Sequence, residues 1–383
     1  MKIVAVRAHV LRLTPPEAYL GARPAAAARV EDGNYYRRPP WRSLYSDQFE
    51  TLLVELTTDD GLVGWGEALA PVAPEVPAAV VDRLLAPFLL GADPRRVRPL
   101  WTELSGLMRE RGHLVGHQAD ALAAVDIALW DLAGKALGVP VATLLGGAYR
   151  TDIPTYVSGL PRPTDDERVA LAREWVARGV RLIKLHLGYG VAEDLATVDA
   201  VASVHPDLKV AVDGHWAYDL ADALRLGRGL DERPHAWFFE APMAPEDIPA
   251  HRELARALAT PVAVGEAMRS RYEFREWLTA RAVDICQPDV GRTGITELMA
   301  IAELAAAHHL PTAPHHSVGL GVAVAAGLHV SAAIEAMPAF EFQPGTMAVA
   351  SRILTDAIAG GPVSFPLPDR PGLGVDVDLS RLS

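Results

Sequence analysis

Residues able to do chemistry recur through the second half of this chain at a near-constant interval. Lys184 and His186, Asp213 and His215, Glu240, Glu266, Asp289, His315 and Glu341 each stand at or just beyond the end of a short apolar run. From Asp213 onward the steps are 27, 26, 23, 26 and 26 residues, close to the length of one strand plus one helix. Three of the acids close especially apolar stretches: Val210-Ala211-Val212-Asp213, Trp237-Phe238-Phe239-Glu240 and Val262-Ala263-Val264-Gly265-Glu266. Any one alone reads as a helix cap or a solvated acid. In phase, they read as a set. Burying them together without a cation costs on the order of several kcal/mol per charge. The spacing therefore predicts a divalent metal on Asp213, Glu240 and Glu266, and hard oxygen donors suit Mg²⁺ better than zinc.

Lys184 and His186 are two apart on a predicted strand, so they share a face. The ammonium disfavours a protonated imidazole and leaves His186 available as a base. Asp289 and His315 end neighbouring predicted strands, and a carboxylate against an imidazole fixes its tautomer and raises its basicity. His215 is assigned to the substrate. Glu341 reads either as a substrate contact or as a buried partner of another ring residue. His316 is expected to face away from the ring, and the helical pair His308-His309 to divide between core and surface.

The elements that must position these groups are legible as eight β-branched runs: 153–157, 181–186, 209–213, 236–240, 261–266, 283–287, 311–315 and 339–342. Helical patterns separate most of them. Such alternation implies an α/β chain with a parallel sheet, and eight units imply a closed barrel with all strand ends on one rim. A doubly wound open sheet is the alternative. No strand is followed by a G-x-G-x-x-G turn, which argues against a dinucleotide site. Ahead of the barrel, residues 1–12, 51–56 and 62–65 alternate like strands around an Asp59-Asp60-Gly61 turn, and 74–137 read as helices ended by Gly138 and Pro140. The irregular segment 15–47 carries Trp41, Arg42 and Tyr45, expected here as lid residues facing an acidic ligand; an exposed loop with no site role is the plainer reading. The expected domains are an α+β cap over 1–125, the barrel over 126–354, and a tail over 355–383 packing back on the cap.

Bulk properties exclude several classes of function. The chain has 383 residues, half of them hydrophobic, and a net charge of −12. Nucleic acid and anionic membranes call for basic patches, so neither is an expected partner. Cys286 is the single cysteine, which leaves no internal disulfide and no thiolate zinc cluster. The N-terminus lacks the apolar run of a signal peptide, in keeping with a cytoplasmic protein. The apolar stretch 319–337 reads as a buried helix.

Several motifs in a fixed order resemble one family. They are Ala121–Lys135 (ALAAVDIALWDLAGK), Leu144-Leu145-Gly146-Gly147, Val264-Gly265-Glu266, Asp284-Ile285-Cys286-Gln287-Pro288-Asp289 and the closing Leu367-Pro368-Asp369-Arg370-Pro371-Gly372-Leu373-Gly374. The sequence resembles the mandelate racemase-like branch of the enolase superfamily over nearly its whole length. The resemblance implies an N-terminal cap on a (β/α)₇β modified TIM barrel, Mg²⁺ on Asp213, Glu240 and Glu266, a small-molecule carboxylate substrate, and a homo-oligomer, dimer or octamer. It implies abstraction of the proton α to a carboxylate, giving an ene-diolate, with Lys184, His186, Asp289 and His315 as the catalytic set. Dehydration of an acid sugar ranks first; racemisation, epimerisation or lactone cycloisomerisation ranks second, and a non-catalytic metal-bearing binding protein third. Two departures stand out: Lys184-Leu185-His186 where much of the branch has Lys-x-Lys, and Glu240-Ala241-Pro242 where Glu-Glu-Pro is common.

Overall fold

The computed structural model describes residues 1–17, 20–21, 28–29, 35–112 and 115–382. The alternating N-terminus forms a strand, Ile3–Leu13, antiparallel to Phe49–Thr58, which pairs in turn with Val63–Ala68. The hairpin turns where the sequence placed it. Gly61 adopts a φ of +85°, a conformation glycine accepts at no steric cost.

The helix His117–Leu137 lies across this sheet and ends at Gly138, whose φ is +70°. Helix and sheet approach so closely that a Cβ on Gly66 would sit 1.8 Å from the Ala124 carbonyl oxygen. The same helix crosses residue 125, the expected domain boundary, without a break. The reason is packing on both sides. Its opposite flank carries Asp126, which accepts from the Thr296 amide at 2.8 Å and hydroxyl at 2.6 Å on the barrel segment Val290–Ala307.

Barrel strands run Asp152–Ser158, Leu182–His186, Lys209–Asp213, Ala236–Glu240, Val262–Val264, Ile285–Cys286 and Phe340–Phe342, each parallel to its neighbour. The expected strand at 311–315 is not a regular one. It makes single bridges, Thr312 to Cys286 and His315 to Asp289. Pro311 and Pro314 offer no amide donors there, so a continuous ladder cannot form. It still closes the ring: Cys286 N donates to Pro311 O at 3.0 Å and Thr312 N to Ala336 O at 3.0 Å, just ahead of the last strand.

Tyr156, Ala211, Phe238, Ala263, Ile285 and Ala313 cluster together as the barrel floor. Residues two apart on a strand share a face. The positions two further along five of these strands are therefore Ser158, Asp213, Glu240, Gln287 and His315, a polar tier stacked on an apolar one. Val322–Ala333 is a wholly buried helix, as expected for that stretch. His308 and His309 are both exposed, a correction to the core-and-surface reading, because they follow the last turn of their helix. In the tail, Ser364–Pro366 pairs antiparallel with the first barrel strand, and Leu373 N donates to Asp131 Oδ1 at 2.8 Å. No described helix is long and apolar enough to cross a membrane.

Candidate active site

The strand ends bring the candidate residues to one mouth. Lys184 Nζ lies 2.7 Å from Glu240 Oε1 and 2.8 Å from Glu341 Oε1. His315 Nδ1 is 2.7 Å from Asp289 Oδ2, while its Nε2 is 3.2 Å from Glu266 Oε2 and 3.8 Å from Glu341 Oε2. Across the mouth, Asp213 Oδ2 is 3.4 Å from His215 Nε2 and 3.9 Å from His186 Nε2. The expected metal triad is split between two groupings: Asp213 gathers with His186 and His215, and Glu240 with Glu266 and His315, each set offering atoms within 4.8 Å of one another. Glu240 is at the same time held by the Lys184 ammonium.

Burial and neighbours set the charges. Asp213 and Glu240 are each pushed up to about 7, first by burial, against the pull of Lys184 and with the repulsion of nearby carboxylates. Burial also opposes ionisation of Glu266, but the His315 hydrogen bond and charge hold it down at about 2. Glu341 is likewise held low against burial by Lys184 and His315. His315 is raised well above its ordinary value: burial works against the charge, and Glu341, Asp289 and Glu266 outweigh it. His186 moves the opposite way, lowered by burial, then by His215 and Lys184. His215 falls to about 4, mainly through burial. Asp213, Glu240, Glu266, Glu341 and Asp289 thus face one buried lysine and one protonating imidazole. That surplus of hard oxygen donors fits a divalent cation.

The loops that follow are conformationally unusual. His215 and Trp216 have φ of +47° and +59°, and Ala241, after Glu240, has +43°. Non-glycine residues in this region cost on the order of 1–3 kcal/mol each and gather at functional sites.

A cavity of about 290 Å³ opens over the ring, lined by Lys184, His186, Asp213, His215, Glu266 and His315 and, from the N-terminal segment, by Tyr36, Ser43, Tyr45 and Gln48. Tyr45, an expected substrate contact, lines the cavity. Three other expected substrate contacts are not on the cavity wall. Arg42 is exposed to solvent. Trp41 is 4% exposed and packed behind the wall. Glu341 is fully buried and spends its oxygens on Lys184 and on the Tyr156 hydroxyl at 3.0 Å. Asp289 stands behind His315, and Glu240 beneath Lys184. His316 is buried, its Nε2 3.2 Å from Gly319 O. A larger cleft of about 790 Å³ beside the helix Val97–Gly106 shares only Arg292 with this mouth and holds none of the ring residues.

Sequence reasoning missed Ser158, whose Oγ is 3.3 Å from His186 Nε2, and Gln287, whose Nε2 donates to Glu240 Oε2 at 2.9 Å. The signal was available: both are polar residues two positions past a floor residue. Arg292, from the first turn of the segment Val290–Ala307, and Ser317 and Val318, from an irregular stretch with no periodic signal, also line the mouth.

Fold and site together define a barrel enzyme with acid–base groups around a carboxylate ring. Residues 167–381 match the enolase C-terminal domain-like family, and residues 27–146 match the mandelate racemase/muconate lactonizing enzyme N-terminal domain. The chain belongs to the enolase superfamily, in its mandelate racemase/muconate lactonizing enzyme branch. It is 34% identical to a D-galactarolactone cycloisomerase of Agrobacterium fabrum over 79% of this chain and 75% of that one. It is 37% identical to a D-galactonate dehydratase of Verminephrobacter eiseniae over 70% of this chain and 69% of that one. A solved enolase-superfamily member from Agrobacterium tumefaciens superposes with a TM-score of 0.94 at 35% identity, covering 100% of this chain and 98% of the other. A racemase from Streptomyces coelicolor A3(2), solved with bound magnesium, superposes at 0.85 with 25% identity over 99% of this chain and 98% of that one. The chain is an enzyme of the lyase or isomerase kind.

Proposed function

We propose that this enzyme removes the proton α to the carboxylate of an acid sugar and then expels the oxygen on the next carbon as water, leaving a 2-keto-3-deoxy acid. Asp213, Glu240 and Glu266 would hold Mg²⁺, which when bound supplies positive charge to the substrate carboxylate as negative charge builds on it. His186, neutral beside Lys184, takes the α-proton. The C3–O bond then breaks, and His315, held by Asp289, gives its proton to the departing hydroxyl. The resulting enol tautomerises to the ketone. Lys184 holds Glu240 and Glu341 in place, and burial, His215 and Lys184 together keep His186 uncharged.

One observation carries this reading. Two imidazoles reach the same cavity from opposite flanks of the carboxylate ring, His186 from the second barrel strand and His315 from the seventh segment. Elimination needs both a base and an acid within reach of adjacent carbons. The relative named D-galactarolactone cycloisomerase favours a second reading, in which the expelled oxygen is the ring oxygen of a sugar lactone.

Mass spectrometry separates the two. The protein is incubated with Mg²⁺ and a panel of aldonic acids, aldaric acids and their lactones. Dehydration lowers a substrate's mass by one water and yields a 2-keto acid. Cycloisomerisation leaves the mass unchanged. A panel with no turnover of either kind contradicts the proposal.

A further inference from the structure

We infer that Trp41 is a positioning residue that docks the lid segment onto the barrel and thereby sets the cavity wall. Its immediate successors Arg42, Ser43 and Leu44 are exposed, while Trp41 itself is 4% exposed. The indole Nε1 donates to Leu187 O at 2.8 Å, in the loop after the second barrel strand. The indole face stacks on His215, in the loop after the third strand, with centroids 4.0 Å apart and planes 19° from parallel. Tyr45 and Tyr189 close its edges at 5.8 and 5.9 Å. An indole combines a broad apolar face with a single donor, and both are used here. Tyr36 lies before it on the strand Tyr35–Arg37 and Tyr45 after it on Leu44–Ser46, two paired strands whose residues line the cavity. Trp41 does not line it.

The seat for Trp41 is built independently of the lid. Asp194 is fully buried and accepts from Gly188 N at 2.8 Å and Tyr189 N at 3.2 Å. It also accepts from the Tyr218 hydroxyl. One carboxylate therefore ties the loop bearing Leu187 to the loop bearing His215. The two loops touch: a Cβ on Gly188, whose φ is +99°, would lie 2.7 Å from Gly214 O and 2.9 Å from the Ala217 side chain. A lid docked in this seat keeps water from the reacting carbons and orients the substrate. That consequence for catalysis rests on the proposed elimination; the docking itself does not.

Hydrogen exchange read by mass spectrometry tests it in the whole protein, comparing wild type with Trp41→Ala, Trp41→Phe and Tyr218→Phe. Tyr218 lies behind the seat and outside the lid. Exchange of the peptide covering 35–46 is expected to rise severalfold in Trp41→Ala and in Tyr218→Phe, with the barrel strands unchanged. Trp41→Phe, which keeps a stacking face and loses the donor, is expected to fall between. On an active substrate, Trp41→Ala is expected to lower kcat/KM by about tenfold or more, chiefly through KM, with magnesium affinity unchanged. Wild-type lid exchange in either Trp41→Ala or Tyr218→Phe overturns the inference. A looser lid in a protein that turns over no acid sugar sinks the elimination and leaves the docking standing.

Discussion

His315 and His186 occupy the same mouth at similar side-chain exposures, 5% and 8%, and hold protons with opposite strength. Burial lowers both. What separates them is company: His315 has Asp289, Glu266 and Glu341 within 3.8 Å, whereas His186 has one carboxylate, Asp213 at 3.9 Å, and faces His215 and the Lys184 ammonium. The pair teaches that neighbours, not depth, assign acid and base roles within one ring.

The largest test removes each partner in turn. His315→Asn and His186→Asn should each lower kcat by roughly a hundred- to ten-thousandfold, measured by steady-state kinetics with circular dichroism to confirm folding. If one substitution is near neutral, the two-flank comparison breaks. Next is Lys184, the shared counter-ion. Lys184→Met leaves Glu240 and Glu341 buried without their ammonium, and denaturant titration of the metal-free protein should show a loss of about 3–5 kcal/mol.

The pH dependence sharpens the contrast further. His315 has a raised folded value, so its contribution to stability is present in full below the ordinary 6.5 and is lost as pH rises through the folded value. His186 has a lowered one, so its contribution is present above 6.5 and is lost as pH falls through the folded value. Melting curves in chelator should show His315→Asn most damaging at low pH and His186→Asn most damaging at high pH. Parallel curves contradict the assignment. The smallest effect belongs to Ser158→Ala, which removes a 3.3 Å contact to His186. A neutral hydrogen bond contributes about 1 kcal/mol, so kcat should change by less than about tenfold.

The barrel mouth and the lid differed in how far the sequence disclosed them. Asp213 and Glu240 were readable because regular strands place every second residue on one face, and His315 because every unit ends on one rim. Ser158 and Gln287 obey the same rule. Ser158 was passed over because the first strand was read as ending one residue early, and Gln287 because it is uncharged. The seventh segment kept its place in the barrel but lost its ladder to Pro311 and Pro314. In the lid no period operates. Tyr45 faces the cavity, Arg42 faces solvent, and Trp41 turns inward to Leu187 and His215, choices fixed by loops more than 140 residues away in sequence. The helix His117–Leu137 runs unbroken through the expected boundary at 125, and its two faces serve two layers.

The proposed elimination requires Asp213, Glu240 and Glu266 to share one dication. Calorimetric titration of metal-free protein with MgCl₂ tests it most directly, on wild type and on folded Asp213→Asn and Glu266→Gln. One ion per chain for the wild type, and a loss of that binding in both variants, is the predicted result. Absence of magnesium binding by the wild type, or undiminished binding in the variants, would contradict it.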